Sequence, residues 1–157
     1  MDLLSTVIQF RARQNAEQLG FSGRQVQAWF LREVERQRPV LAALIHDGWR
    51  ANPEDKHGFR PYTCSALYKG PHLAWKLAEG DWCWLRLTSL TGELSQALVE
   101  QILPNLLPLA KIGQVELEVQ PWQPGLTNNP WSAADSYTSL VRRAALATET
   151  RLEMEFS

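Results

Sequence analysis

What most constrains the fold is the order in which two hydrophobic periods follow one another along the chain. In residues 3–13, Thr6, Ile8, Phe10 and Ala12 alternate with Val7, Gln9, Arg11 and Arg13, the period of two that marks a strand with one buried face. Gly20 punctuates the following loop, and Ser22 suits an N-cap. From Gly23 the period lengthens: Val26, Trp29, Phe30 and Val34 fall three or four residues apart. That spacing predicts an amphipathic helix with Arg32, Glu33, Glu35 and Arg36 on its wet face. Pro39 fits the first turn of a second, short helix with Leu41, Leu44 and Ile45 inward, and Gly48 stops it.

Tyr62–Tyr68 and Trp82–Leu90 read as strands. In the second, Cys83, Leu85 and Leu87 point one way and Trp82, Trp84, Arg86 and Thr88 the other, an aromatic and basic face suited to being covered or to meeting a ligand. Residues 92–106 read as a helix with Leu94, Ala97, Leu98, Ile102 and Leu103 inside, and Ile112–Gln120 as a strand. The order β-α-β-β-α-β is the ferredoxin-like, α+β arrangement with its first helix split, two helices covering one face of a four-stranded antiparallel sheet. This domain spans 1–122, and a Pro/Gly/Asn-rich linker occupies 123–134. Residues 135–157 hold a further helix and a strand, Thr150–Phe156, which read as the start of a second domain or as a strand added to the existing sheet. Many unrelated functions share this fold, so it names none.

Composition narrows the classes. Hydrophobic residues make up 45% and charged residues 21%, enough for a core. No apolar run approaches a membrane span and no leader pattern opens the chain, so a cytoplasmic protein is expected. Cys64 and Cys83 lie in strands without metal-ligand spacing and read as small apolar residues; no metal site or cofactor is expected from these and the three histidines. A net charge of −1 argues against bulk attraction to polyanions, but residues 1–60 hold nine Lys/Arg against seven Asp/Glu, and residues 116–157 three against six. Polyanion contact is therefore expected toward the first third. Seven tryptophans leave some free to stack on bases or on a partner.

His46 stands in the last predicted turn of the second helix, before a polar loop carrying Arg50, Lys56 and Arg60. Two readings are open: a capping residue at a helix end, or the acid–base group of a site. His57 lies in mid-loop, and His72 follows Gly70-Pro71 on a surface turn.

The segments AWFLREV, Leu44-Ile45-His46-Asp47-Gly48, RPYTCSAL, WLRLTSL, NPWSAADSYTSLVRRA and the terminal RLEMEFS, in that order, resemble the N-terminal half of the CRISPR-associated endoribonucleases that cut repeat RNA to release guide RNAs. The resemblance implies two tandem ferredoxin-like domains, with RLEMEFS opening the second; the family's glycine-rich RNA-holding loop has no counterpart here. It implies metal-independent cleavage by the RNA's own 2′-hydroxyl, leaving a 2′,3′-cyclic phosphate. His46 matches the family's catalytic histidine, and a helix C-terminus favours a cationic side chain there. Lys56 is the candidate for stabilising phosphate charge, with Arg50 and Arg60 behind it. No tyrosine occurs before Tyr62, which sits poorly for catalysis in a strand. Trp82, Trp84 and Arg86 are candidates for stacking on RNA, against the alternative that they face a second domain or subunit. The implied partners are CRISPR repeat RNA, a guide-RNA effector complex and a second copy of the chain. A non-catalytic RNA-binding or structural subunit, or an unrelated ligand-binding module of this fold, is the competing expectation.

Overall fold

The computed structural model describes residues 1–48, 54, 58–123 and 130–146. Arg50, Lys56, His57 and the expected strand at 150–156 lie outside them.

The first expected strand is β1 (Leu3–Ala12), and its buried set is the even-numbered one, Leu4 through Ala12. It occupies the middle of the sheet, antiparallel to β5 (Trp82–Ser89) along its length, from Leu4↔Ser89 to Arg11↔Trp82. On its other edge it pairs β7 (Val115–Val119) through Phe10–Ala12 and β8 (Ala133–Asp135) through Leu3–Ser5. Between those pairings a cleft of about 240 Å³ opens beside Thr6, Val7, Ile8 and Trp122. The remaining strands are β2 (Tyr62–Cys64), beside β5, the short hairpin β3 (Tyr68–Lys69) with β4 (His72–Leu73), and β6 (Leu109–Ile112) at the far edge. The main path runs β4-β3-β5-β1-β7-β6. With the helical regions at 23–37, 39–47 and 92–105 packed on one core, this is the α+β ferredoxin-like arrangement that the periodicities predict.

Two helices succeed one another as expected, α1 (Gly23–Gln37) and α2 (Pro39–Asp47). Phe10 meets Trp29 edge to face at 5.5 Å, and Phe30 lies 5.2 Å from Tyr62, so α1 seats on β1 and β2 through its aromatics. The third helical region begins as α3 (Gly92–Ala97), widens into a π segment over Leu98–Ile102 and tightens into a 3-10 turn over Leu103–Asn105. Leu94, Ala97, Leu98, Ile102 and Leu103 are all buried, so the changes of helical pitch keep these residues facing the sheet.

Several local expectations change. The stretch read as one strand from Ile112 is a hairpin: Gly113, at φ +64°, turns the chain between β6 and β7. Tyr62–Tyr68 breaks after Cys64, where Ser65 donates from its backbone to the Arg86 carbonyl and accepts the Arg86 N–H on Oγ. Ser22 does not cap α1 with its side chain; its buried Oγ accepts the Leu67 N–H at 2.9 Å. Glu33 is buried rather than wet, because Arg36 donates to its carboxylate at 2.8 Å and the Leu107 N–H approaches at 3.3 Å. In α2, Leu44 faces solvent and Ala42 takes the inward position. The chain beyond β7 returns to β1 as β8, and α4 (Tyr137–Leu146) follows it with no buried residue.

Candidate active site and nucleic-acid surface

Leu41, Ala42 and Ile45 fix α2 to the core and leave its last turn at the surface. His46 sits in that turn with 73% of its side chain exposed. Among the described residues its polar partner is Asp47, whose Oδ1 lies 3.2 Å from Nδ1. An exposed imidazole with one acceptor beside it keeps its second nitrogen available to an incoming group.

The helix ends at Gly48, at φ +93° and ψ 136°. Its backbone lies against that of Gly58: a Cβ built on Gly58 would stand 2.5 Å from the Gly48 carbonyl carbon. Arg60, exposed, follows two residues later. The chain then enters β2, held where the Leu90 N–H donates to the Pro61 carbonyl at 2.8 Å. Thus His46 and Arg60 flank one backbone crossing. Tyr62 is buried under α1, where Gln27 Nε2 donates to its hydroxyl at 3.1 Å, and burial pushes its pKa up. His72 is exposed in β4, opposite Lys69.

The second candidate surface lies on the open face of the sheet. Tyr68 stacks on Trp84 at 4.8 Å, with the rings 20° from parallel, and Trp84 Nε1 donates to the Gly70 carbonyl at 2.9 Å. The Arg86 guanidinium lies 5.2 Å from the Trp131 ring centre, and the Arg11 guanidinium 6.0 Å from that of Trp82, at the outer limit of a cation–π contact. Trp131 is tied down by Ser5 Oγ, which donates to its carbonyl at 2.5 Å. Trp82 is 56% exposed. Tyr68 and Trp131 were not among the residues singled out by sequence; Tyr68 closes the RPYTCSALY run and Trp131 sits in the polar connection, and neither alternates visibly with Trp84.

Both thiols are pushed up to about 12, by burial at Cys64 and by burial with the nearby Asp81 charge at Cys83, so neither is a nucleophile at neutral pH. Among the described residues no group of three His, Cys, Asp or Glu is placed to hold a metal ion, and no helix is long and apolar enough to cross a membrane.

With this geometry in hand, the likeness to solved structures is informative. A structure described as "Cas6 (TTHB231) product complex" matches 89% of this chain with a TM-score of 0.57 and 24% identity, and 47% of its own chain is covered. The chain shares its fold with about half of that Cas6 protein. A second structure, "CRISPR associated protein Cas6", matches 78% of this chain and 51% of its own at 12% identity and a TM-score of 0.48. No protein-family model matches the chain, and no curated protein does. The chain thus spans about half the length of the Cas6 structures it matches.

Proposed function

We propose that the chain is the histidine-bearing part of a Cas6-type endoribonuclease that cuts CRISPR precursor RNA within its repeats to give guide RNAs. The observation that carries this reading is an exposed His46, in the last turn of α2, on a chain that shares its fold with a Cas6 protein over 89% of its length.

The reaction is a transesterification without a metal. The 2′-oxygen attacks the adjacent phosphorus, its proton is removed, and the bond from phosphorus to the 5′-oxygen breaks as that oxygen gains a proton. The products are a 2′,3′-cyclic phosphate and a 5′-hydroxyl end. Such a path needs proton transfer at both oxygens and positive charge beside the phosphorane. Imidazole, with an unperturbed pKa of about 6.5, serves either transfer near neutral pH. His46 takes that role, and Arg60, with Lys56 and Arg50 as its neighbours in sequence, supplies the charge. Trp82, Trp84 and Arg86 hold flanking bases by stacking. The protein acts in the cytoplasm on CRISPR repeat RNA, alone, as a dimer or within a guide-RNA effector complex.

The test is cleavage of end-labelled CRISPR repeat RNA in EDTA, with His46→Ala alongside. A cut that ends in a cyclic phosphate and is lost in the variant supports the reading. A metal requirement, or full cutting by His46→Ala, overturns the mechanism. Equal RNA binding by both proteins with no cut by either assigns a binding role instead.

A further inference from the structure

Side-chain packing does not orient an imidazole that is 73% exposed. What can be fixed is the backbone beneath it. On the N-terminal side, Leu41, Ala42 and Ile45 do this from the core. On the C-terminal side the only described contact of this kind is the crossing of Gly48 and Gly58. A Cβ on Gly58 would lie 2.5, 2.6 and 2.9 Å from the carbonyl carbon, oxygen and Cα of Gly48; one on Gly48 would lie 3.0 Å from the Gly58 carbonyl carbon and Cα. Gly58 has no room for a side chain, and one on Gly48 would need the Gly58 backbone to give by a few tenths of an ångström; in both cases the obstacle is backbone, which cannot rotate away. Gly48 adds a positive φ that other residues rarely adopt.

The crossing joins the end of α2 to the approach to β2, which Pro61 and buried Tyr62 anchor to the sheet. His46 precedes it by two residues and Arg60 follows it by two. Each therefore lies within about 7 Å of chain from the crossing. Two exposed groups fourteen positions apart in sequence thus flank one crossing. One transfers protons; the other presents a planar, permanently charged fork that fits phosphate oxygens.

We propose that Gly58 is a positioning residue, whose backbone contact with Gly48 holds His46 and Arg60 as a pair facing a single phosphate. This rests on the reading of His46 as the proton-transfer residue. Displacement of a catalytic group by about 1 Å costs on the order of a hundredfold in rate. Gly58→Ala forces a shift of that size.

The experiment compares the native chain with His46→Ala, Gly58→Ala, Arg60→Ala, Arg60→Lys and Gly20→Ala. Gly20 has positive φ but nothing within 4 Å of its Cβ position, so it reports backbone strain without collision. Single-turnover cleavage of saturating repeat RNA gives the rate, and a fully 2′-O-methylated repeat RNA, which cannot react, gives affinity. The expected result is a rate lowered about ten- to a hundredfold in Gly58→Ala and Arg60→Ala, affinity within about threefold of native, partial recovery in Arg60→Lys, and a native rate in Gly20→Ala. Cutting by His46→Ala overturns the catalytic reading and the pairing together. Loss in His46→Ala with a native rate in Gly58→Ala overturns the pairing alone. Should Gly58→Ala fail to fold, Arg60→Ala decides: lost affinity with an unchanged rate overturns the pairing, and lost rate with affinity kept supports it. Should the native chain not cut, the His46 ring resonance decides: a shift on adding methylated RNA that vanishes in Gly58→Ala or Arg60→Ala supports the pairing, and no shift, or one kept in the folded variants, overturns it.

Discussion

The two ends of β5 carry opposite solutions to the same problem. At the Ser89 end, beside β2 and Arg60, His46 and Arg60 are exposed, and among the described residues the polar partner of His46 is Asp47. Toward Trp82, roughly 17–23 Å along the strand, Trp84 is already stacked on Tyr68 and bonded to Gly70, and Arg86, about 10 Å from Ser89, lies over Trp131. A group that must exchange protons gains from being unencumbered. A surface that must hold flat rings gains from being assembled beforehand, since the ordering cost then falls on folding rather than on binding. The difference predicts that substitutions at one end act on rate and those at the other on affinity.

The largest expected effect is at His46. Its replacement by Ala should lower single-turnover cleavage by about 10²–10⁴-fold, the usual worth of acid–base catalysis, with RNA affinity nearly native; a filter-binding titration beside the rate assay checks both. Next is Trp82→Ala, which removes an exposed ring without opening the core. It should weaken RNA binding by about 1–3 kcal/mol and leave the rate at saturating RNA unchanged, and the reverse pattern would break the comparison. Tyr62→Phe should leave cleavage native and cost about 1 kcal/mol of stability in urea, because the Gln27 amide loses its acceptor. Loss of cleavage there would bring Tyr62 into the chemistry.

The smallest effect concerns acid. The Asp135 carboxyl is held below its usual range chiefly by the Ser136 N–H and then by Arg143. A carboxyl with a lowered folded-state pKa contributes stability above its unfolded value, about 3.9. That contribution is lost as pH falls through the folded value. Between pH 5 and pH 2 the anchorage of β8 and α4 should loosen, read as a change in Trp131 fluorescence that Asp135→Asn makes independent of pH.

Strand and helix order were legible because burial has a period, and β1, α1 and β5 bury the residues their patterns put inside. What escaped was local or relational. Glu33 lies three residues after Phe30, hence on the apolar face, but its charge argued for water; only Arg36 and the Leu107 N–H, remote in sequence or invisible as partners, make its burial tolerable. In the nine-residue α2 nothing in the spacing distinguishes the Ala42 side from the Leu44 side. The hairpin at Gly113 was read through because Ile112 and Val115 both continue an apolar pattern across the turn. At the site, a histidine at a helix end was visible in sequence. That Gly48 touches Gly58 was not, since two residues without side chains leave no pattern to read.

The central place of β1 has a consequence for the chain as it leaves the ribosome. Its ten residues are made well before their partners: β5 completes one edge only after residue 89, and β7 and β8 the other only after residues 119 and 135. At about 5–20 residues per second, LLSTVIQFRA waits several seconds with both edges unpaired. An apolar, β-prone segment exposed for that long is a template for other nascent chains, so yield on expression should depend on synthesis speed and temperature more steeply than the stability of the finished fold.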